Sequence, residues 1–257
     1  MKTRLSDEPI ACIPDFDVIA ESQDWIVVSK AAPLIVHPAN GKIEPNLLEG
    51  VSALLCCELA QGGQLALINR LDRETSGLTL LAKNPSATRQ LGRAIQRRLM
   101  HKEYHAIVYG HPESESWIRT DPILRKGEIM QSDVWVMQCV HPEGKECKTS
   151  FRTLSRFMRQ GEPFSLIHCI PETGRMHQIR VHLAASGYPI VGDKIYGPSP
   201  QCYLDYISLG WTPTLESLLK LPRHALHASG LDFPFDDQVI HTSAPLPDDM
   251  RHFAEGS

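Results

Sequence analysis

INRLDRETSGLTLLA, residues 68–82, places Asp72 between an apolar lead-in and the polar turn Arg73-Glu74-Thr75-Ser76-Gly77. A β-rich run, Leu78 to Ala82, follows at once. The carboxylate is thereby presented on a loop held between ordered segments, where functional side chains most often sit. The plain alternative is a turn aspartate that hydrogen-bonds its own backbone two residues on. The neighbours argue for more than a turn. Arg70 and Arg73 flank Asp72, and Thr75 and Ser76 add hydroxyl donors. Together they favour an ionised carboxylate with a lowered pKa, as a nucleophile requires.

Working outward, Trp25 to Lys30 (WIVVSK) has the pattern of a buried strand, and residues 31–38 carry it through a turn into a second extended piece. His37 ends that piece and reads as a satisfied structural histidine. Leu47 to Leu59 has helical apolar spacing and stops at Gly62-Gly63. Beyond the central stretch, Asn84 offers an N-cap to a helix with Ala87, Leu91, Ala94 and Ile95 on one face. Arg89, Arg93 and Arg97 recur every four residues on another face. Such stripes are usually solvated. Here no acidic residue occurs from Pro85 to Lys102, which favours contact with phosphates. His101 to Gly110 reads as a strand carrying Tyr104, and its two histidines, four apart with no carboxylate motif beside them, give no metal site. Residues 111–170 read as β-rich, with strands expected at 133–137, 149–154 and 164–170. Residues 171–183 (PETGRMHQIRVHL) read as a turn opening a helix that closes near Gly187.

These blocks carry a resemblance. Asn69 to Leu78 is similar to the H-R-L-D-x-x-T-S-G-L signature of the RluA-type pseudouridine synthases, with Asn69 in place of the histidine. Residues 24–38 resemble the family's D-x-x-I-V-V-x-K-P-x-G-L-x-V-H-P segment, Ala31 and Pro33 standing where the family has proline and glycine. Residues 102–110 resemble K-x-Y-x-A-x-V-x-G, residues 173–183 T-G-R-x-H-Q-I-R-x-H-L, and residues 188–197 H-P-I-x-G-D-x-x-Y-G with Tyr188 for the histidine. Residues 223–229 resemble the closing L-H-A strand, and residues 198–222 look like a family-variable insertion.

The resemblance implies an α+β fold: a single pseudouridine-synthase-type catalytic domain with a mixed, mainly antiparallel central sheet flanked by helices. It implies Asp72 as nucleophile, Tyr104 stacking on the target base, and Arg175 as the arginine that pairs with the aspartate. Arg70, Arg73, Arg89, Arg93, Arg97, Lys102 and Arg180 are the expected RNA contacts. The implied reaction returns uracil to ribose through carbon 5, an isomerisation that needs no metal or cofactor. In agreement, the sequence holds no Walker loop, G-x-G-x-x-G run or metal-ligand cluster.

Composition sets outer limits. The 257 residues suffice for one large domain, and 42% apolar with 22% charged residues is ordinary for a globular chain. The boundaries expected from the sequence are a loose acidic leader over 1–23, a catalytic domain over 24–245 and a tail over 246–257. No apolar run approaches the roughly 20 residues of a membrane helix, and no signal-peptide core is present, so a cytoplasmic monomer is expected. Seven cysteines at irregular spacing indicate neither a disulfide framework nor a zinc site. The net charge of −4 looks wrong for an RNA-binding protein, but it is unevenly spread. Residues 1–24 hold two basic and six acidic side chains and residues 232–257 one and six, leaving 23 basic against 18 acidic between them.

Two other classes compete with RNA isomerisation. A carboxylate-dependent hydrolase would pair Asp72 with a second acid, for which Glu74 is the obvious candidate. A catalytically silent RNA-binding protein would have no need of a paired carboxylate together with Tyr104 and Arg175. On the RNA itself, the sequence leaves tRNA and large-subunit ribosomal RNA open. The short leader points to a compact stem-loop recognised by shape.

Overall fold

The computed structural model describes residues 15–37 and 44–255. The expected leader lies outside them up to residue 14. Their frame is a ten-stranded sheet. Along its path run β1 (Phe16–Glu21), β2 (Trp25–Lys30), β4 (Ser76–Ala82), β11 (Leu226–Phe235), β5 (His101–Tyr109), β10 (Glu162–Pro171), β9 (Thr149–Arg159) and β6 (Ser116–Arg119). The short β3 (Ala66–Leu67) pairs with β4, β12 (Gln238–Ser243) pairs with β11, and β7 (Ile123–Arg125) and β8 (Gln138–Val140) form a separate ribbon. Among the pairs of these strands only β4 with β11 is parallel, at Ser76–His227 and Gly77–Ala228. The sheet is therefore mixed and mainly antiparallel, as expected.

β4 is buried along its whole length. Leu78, Leu80 and Ala82 pack with Ala87 and Leu91 of α3 (Pro85–Gln96), while Leu81 packs with Leu47 and Val51 of α1 (Leu47–Leu54). A strand covered on both faces by apolar side chains is hard to shift in register, so the loop that enters it is held firmly. The helix expected over 47–59 is broken at Leu55 into α1 and α2 (Cys56–Ala60). α3 starts where expected, with the Asn84 side chain accepting from the Ala87 amide at 2.9 Å. α4 (Gln178–Ala185) packs Ile179 and Leu183 against β5 and β10. Residues 198–222 contribute α5 (Gln201–Leu209) and α6 (Pro213–Leu219), which bury Cys202, Leu215 and Leu219 together.

Two boundaries and one strand differ from the sequence expectation. Phe16–Glu21 is an edge strand paired with β2 through a bulge between Val18 and Ala20, so the sheet reaches back into the expected leader. The expected tail forms α7 (Asp248–Glu255), whose Met250 and Phe253 are buried in the same core as Ile107 and Phe164. The strand expected at 133–137 is instead a turn. Val134 is buried there, and Trp135, 73% exposed, lies under the Arg125 guanidinium at 4.0 Å.

Gly77 is where the parallel pair comes closest. Its φ is +107°, and a Cβ there would lie 2.2 Å from the Ala228 carbonyl oxygen. Backbone on both sides cannot retreat, so Gly77→Ala is expected to cost about 3 kcal/mol or more. Gly187 shares a positive φ of +85° with open space around it, and Gly187→Ala should cost about 1 kcal/mol. Urea midpoints of the two variants check this; equal shifts would contradict it.

Candidate active site

The turn carrying Asp72 is pinned from three sides. Asn69 clamps it to β4, donating to the Leu78 carbonyl at 3.1 Å and accepting from the Leu80 amide at 2.7 Å. Asparagine can do both with one planar amide, so it fills the family histidine's place with a pair of backbone bonds. Lys30, fully buried, donates to the Ala31 and Arg73 carbonyls at 2.9 and 3.1 Å. Burial, with Arg223 nearby, lowers its pKa to about 7. On the third side Thr75 Oγ1 lies 2.7 Å from His224 Nε2, just before β11.

Asp72 projects from this turn into a cleft of about 720 Å³, its side chain 32% exposed and so within reach of a substrate. One oxygen, Oδ2, accepts from Arg180 Nη1 at 2.9 Å and lies 3.8 Å from His177 Nε2. The other, Oδ1, has no hydrogen bond among the described residues. Burial acts to raise the Asp72 pKa, but Arg180, His177 and His224 outweigh it and hold the carboxyl below its usual range. Arg180 is itself fixed. Its Nε and Nη2 donate to Asp193 at 2.7 and 2.9 Å, and the guanidinium lies 5.0 Å from the Tyr196 ring centre. Asp193 also accepts the Ile195 and Tyr196 amides, at 2.9 and 3.0 Å. This fully buried carboxylate therefore stays ionised and cannot release Arg180.

Here the structure corrects the expected roles of two arginines. Arg175 does not pair with Asp72: it is exposed on the lip of the cleft, its Nε donating to the Glu146 carbonyl at 3.2 Å. Arg180, expected among the RNA contacts, is the partner of Asp72 and only 5% exposed, with donors committed to two carboxylates. Helix α4 starts only at Gln178, so the exposed turn before it carries Arg175 outward, while the third helical residue points into the core.

Tyr104 lines the cleft, and burial together with the Asp72 charge raises its pKa well above the usual tyrosine value, so the phenol is neutral. Arg70, Arg73, Arg98 and Lys102 also line it. Arg73 is tied to Glu44 at 2.8 Å. Lys102 is half-buried, which lowers its pKa. Arg89, Arg93 and Arg97 do not line the cleft; they are exposed on α3 beside it, with no ion pair among the described residues. Glu74, the candidate second acid, is outside the cleft and paired with Lys194 at 2.6 Å. His37, read as structural, lies in the cleft wall. Lys30, His177, Asp193 and His224 were not singled out from the sequence. A usable signal existed for Asp193 and its partner Arg180: apolar residues close on either side, Ile190-Val191 and Ile195-Tyr196 around Asp193 and Ile179 and Val181 around Arg180, and buried opposite charges need each other.

Comparison with known proteins bears on the family and the fold. A family model described as RNA pseudouridylate synthase matches residues 24–185. A protein of Nitrosomonas europaea named ribosomal large subunit pseudouridine synthase D is 35% identical over 240 residues, covering 91% of this chain and 62% of its own length. An uncharacterized RNA pseudouridine synthase of Bacillus subtilis, YlyB, is 33% identical over 94% of this chain and 72% of its own. The solved structure of human RNA pseudouridylate synthase domain containing 1 superposes with a TM-score of 0.70 at 24% identity, over 93% of this chain and 86% of that one, and speaks for the fold alone. The match over 24–185, which takes in Asp72, Tyr104 and Arg180, makes this chain a member of the RNA pseudouridylate synthase family.

Proposed function

We propose that this chain isomerises uridine to pseudouridine in RNA, with Asp72 as the nucleophile and large-subunit ribosomal RNA as the substrate. The observation that carries the reading is Asp72 itself: an ionised carboxylate held from behind by Arg180, open in front to a cleft with basic residues on its wall. Asp72 assists departure of uracil from the ribose anomeric carbon. The base turns and bonds that carbon through carbon 5, carbon 5 gives up its proton, and the nitrogen that left takes one. A paired base must leave the stack to reach the cleft. Arg70, exposed two residues before Asp72, is placed to fill the space it vacates, and neutral Tyr104 offers a flat face to stack on the base.

The choice of RNA is supported by the names of relatives that this chain resembles, several of which are called ribosomal large subunit pseudouridine synthase D. The chain spans 62% of the length of the Nitrosomonas relative, so a target shared with it is part of the proposal. The test is to incubate the protein with total cellular RNA and map new pseudouridines. New sites in large-subunit ribosomal RNA are expected; new sites confined to tRNA would overturn the target.

The stripe Arg89, Arg93 and Arg97, without an ion pair among the described residues, is expected to contact phosphates without reading sequence. Replacing all three by alanine should lower the dependence of log affinity on log salt by about 2 to 3. An unchanged slope would return this face of α3 to plain solvated surface. A hydrolytic reading loses its second carboxylate, because Glu74 is bound to Lys194 away from the cleft.

A further inference from the structure

We propose that His177 is a positioning residue whose tautomer is set by a hydrogen-bond chain, Gln138 amide to Tyr196 hydroxyl to His177 Nδ1, so that its Nε2–H faces Asp72 Oδ2 and leaves Oδ1 as the reacting oxygen. The proposal rests on the reading of Asp72 given above. It begins with a donor that cannot be reversed. The Gln138 backbone N–H donates to the Tyr196 oxygen at 2.8 Å. The phenol proton then needs an acceptor, and among the described residues the group in reach is His177 Nδ1, at 2.7 Å. If Nδ1 carried the proton instead, the buried phenol O–H would have no acceptor, which costs about 1–3 kcal/mol. With Nδ1 accepting, a neutral ring carries its proton on Nε2, the nitrogen 3.8 Å from Asp72 Oδ2.

The backbone holds the ring in this place. His177 has φ +57°, a left-handed conformation uncommon outside glycine, immediately before α4. Strain of that kind persists where the surroundings impose it. The charged and titratable groups facing the ring are Arg180, Asp72 and Asp193, with Tyr196 edge-on at 5.5 Å between ring centres. Burial, reinforced by Arg180, takes the His177 pKa down to about 4 against the two carboxylates, so the ring is neutral at working pH. Arg180 thus donates to Oδ2 at 2.9 Å, and the His177 Nε2–H dipole faces the same oxygen from 3.8 Å, beyond hydrogen-bond distance.

The direct test is long-range proton–nitrogen NMR of the intact protein, with the His177 ring signals assigned by their loss in His177→Asn. The expected result is the neutral Nε2–H tautomer from about pH 5.5 to 8. An Nδ1–H or doubly protonated ring near pH 7 would overturn the proposal. A second test uses Tyr196→Phe, which keeps the ring under Arg180 but removes the proton that Nδ1 accepts. It should lower kcat roughly 10-fold or more with little change in KM, and move the acid limb of the pH–rate profile upward as the Nε2–H dipole no longer faces Asp72. A profile superimposable on the wild type would overturn the proposal. Should the wild type form no pseudouridine at all, the enzymatic reading falls, while the NMR result still decides the tautomer.

Discussion

Asp72→Asn is expected to lower isomerisation at least a thousandfold while RNA affinity stays within about twofold. The amide keeps the shape of the carboxylate and its oxygen still accepts from Arg180, so the turn, the cleft and the cationic rim survive. What is lost is the anionic oxygen facing the cleft. Binding is expected to rest on other groups, chiefly the arginines around and beside the cleft, and is measured by titration of the same RNA with both proteins. A variant that kept a tenth of the activity would remove Asp72 from the role of nucleophile.

Arg180→Met should be the most destabilising single change at the site, by about 3–5 kcal/mol near neutral pH. The methionine fills much of the stem's volume but strands Asp193, fully buried, with two backbone amides and no cation. The sign of the pH dependence follows. In the wild type the Asp193 pKa is depressed, so its stabilisation is complete above the unfolded carboxyl pKa of about 3.9 and is lost only as pH falls toward the folded value. In the variant the buried, unpaired carboxyl has a raised pKa, so stability falls as pH rises through it. The deficit against wild type, read from urea unfolding, should therefore be smaller near pH 5 than near pH 8. Adding Asp193→Asn should recover much of the loss at the higher pH. Activity of the single variant should fall roughly 100-fold, because Asp72 loses the cation that keeps it ionised. A stability deficit independent of pH would contradict the assignment of Asp193 as the stranded charge.

What was legible in the chain follows from how local each signal is. Asp72 and its turn stood out because the loop, its flanking arginines and the strand after it are contiguous in sequence. The α3 stripe stood out because 3.6-residue periodicity is written directly in the chain. The partner of Asp72 did not. Arg175 and Arg180 sit five residues apart across a helix start, and which of them turns inward depends on the backbone at His177 and on Asp193 thirteen residues later. The edge strand Phe16–Glu21 was hidden by its acidic, weakly alternating composition, and α7 by an apolar face of little more than Met250 and Phe253. At 133–137, β-rich composition suggested a strand. There one buried valine anchors a turn, and the tryptophan stacks on an arginine instead of entering a sheet.

The measurement closest to the central claim compares the RNA before and after reaction with the wild-type protein, by intact mass and by nucleoside digest together. Isomerisation leaves the RNA mass unchanged while one uridine at a defined position becomes pseudouridine, with no free uracil released. Free uracil with an abasic RNA, or RNA that is bound and recovered with its uridines intact, would contradict the account.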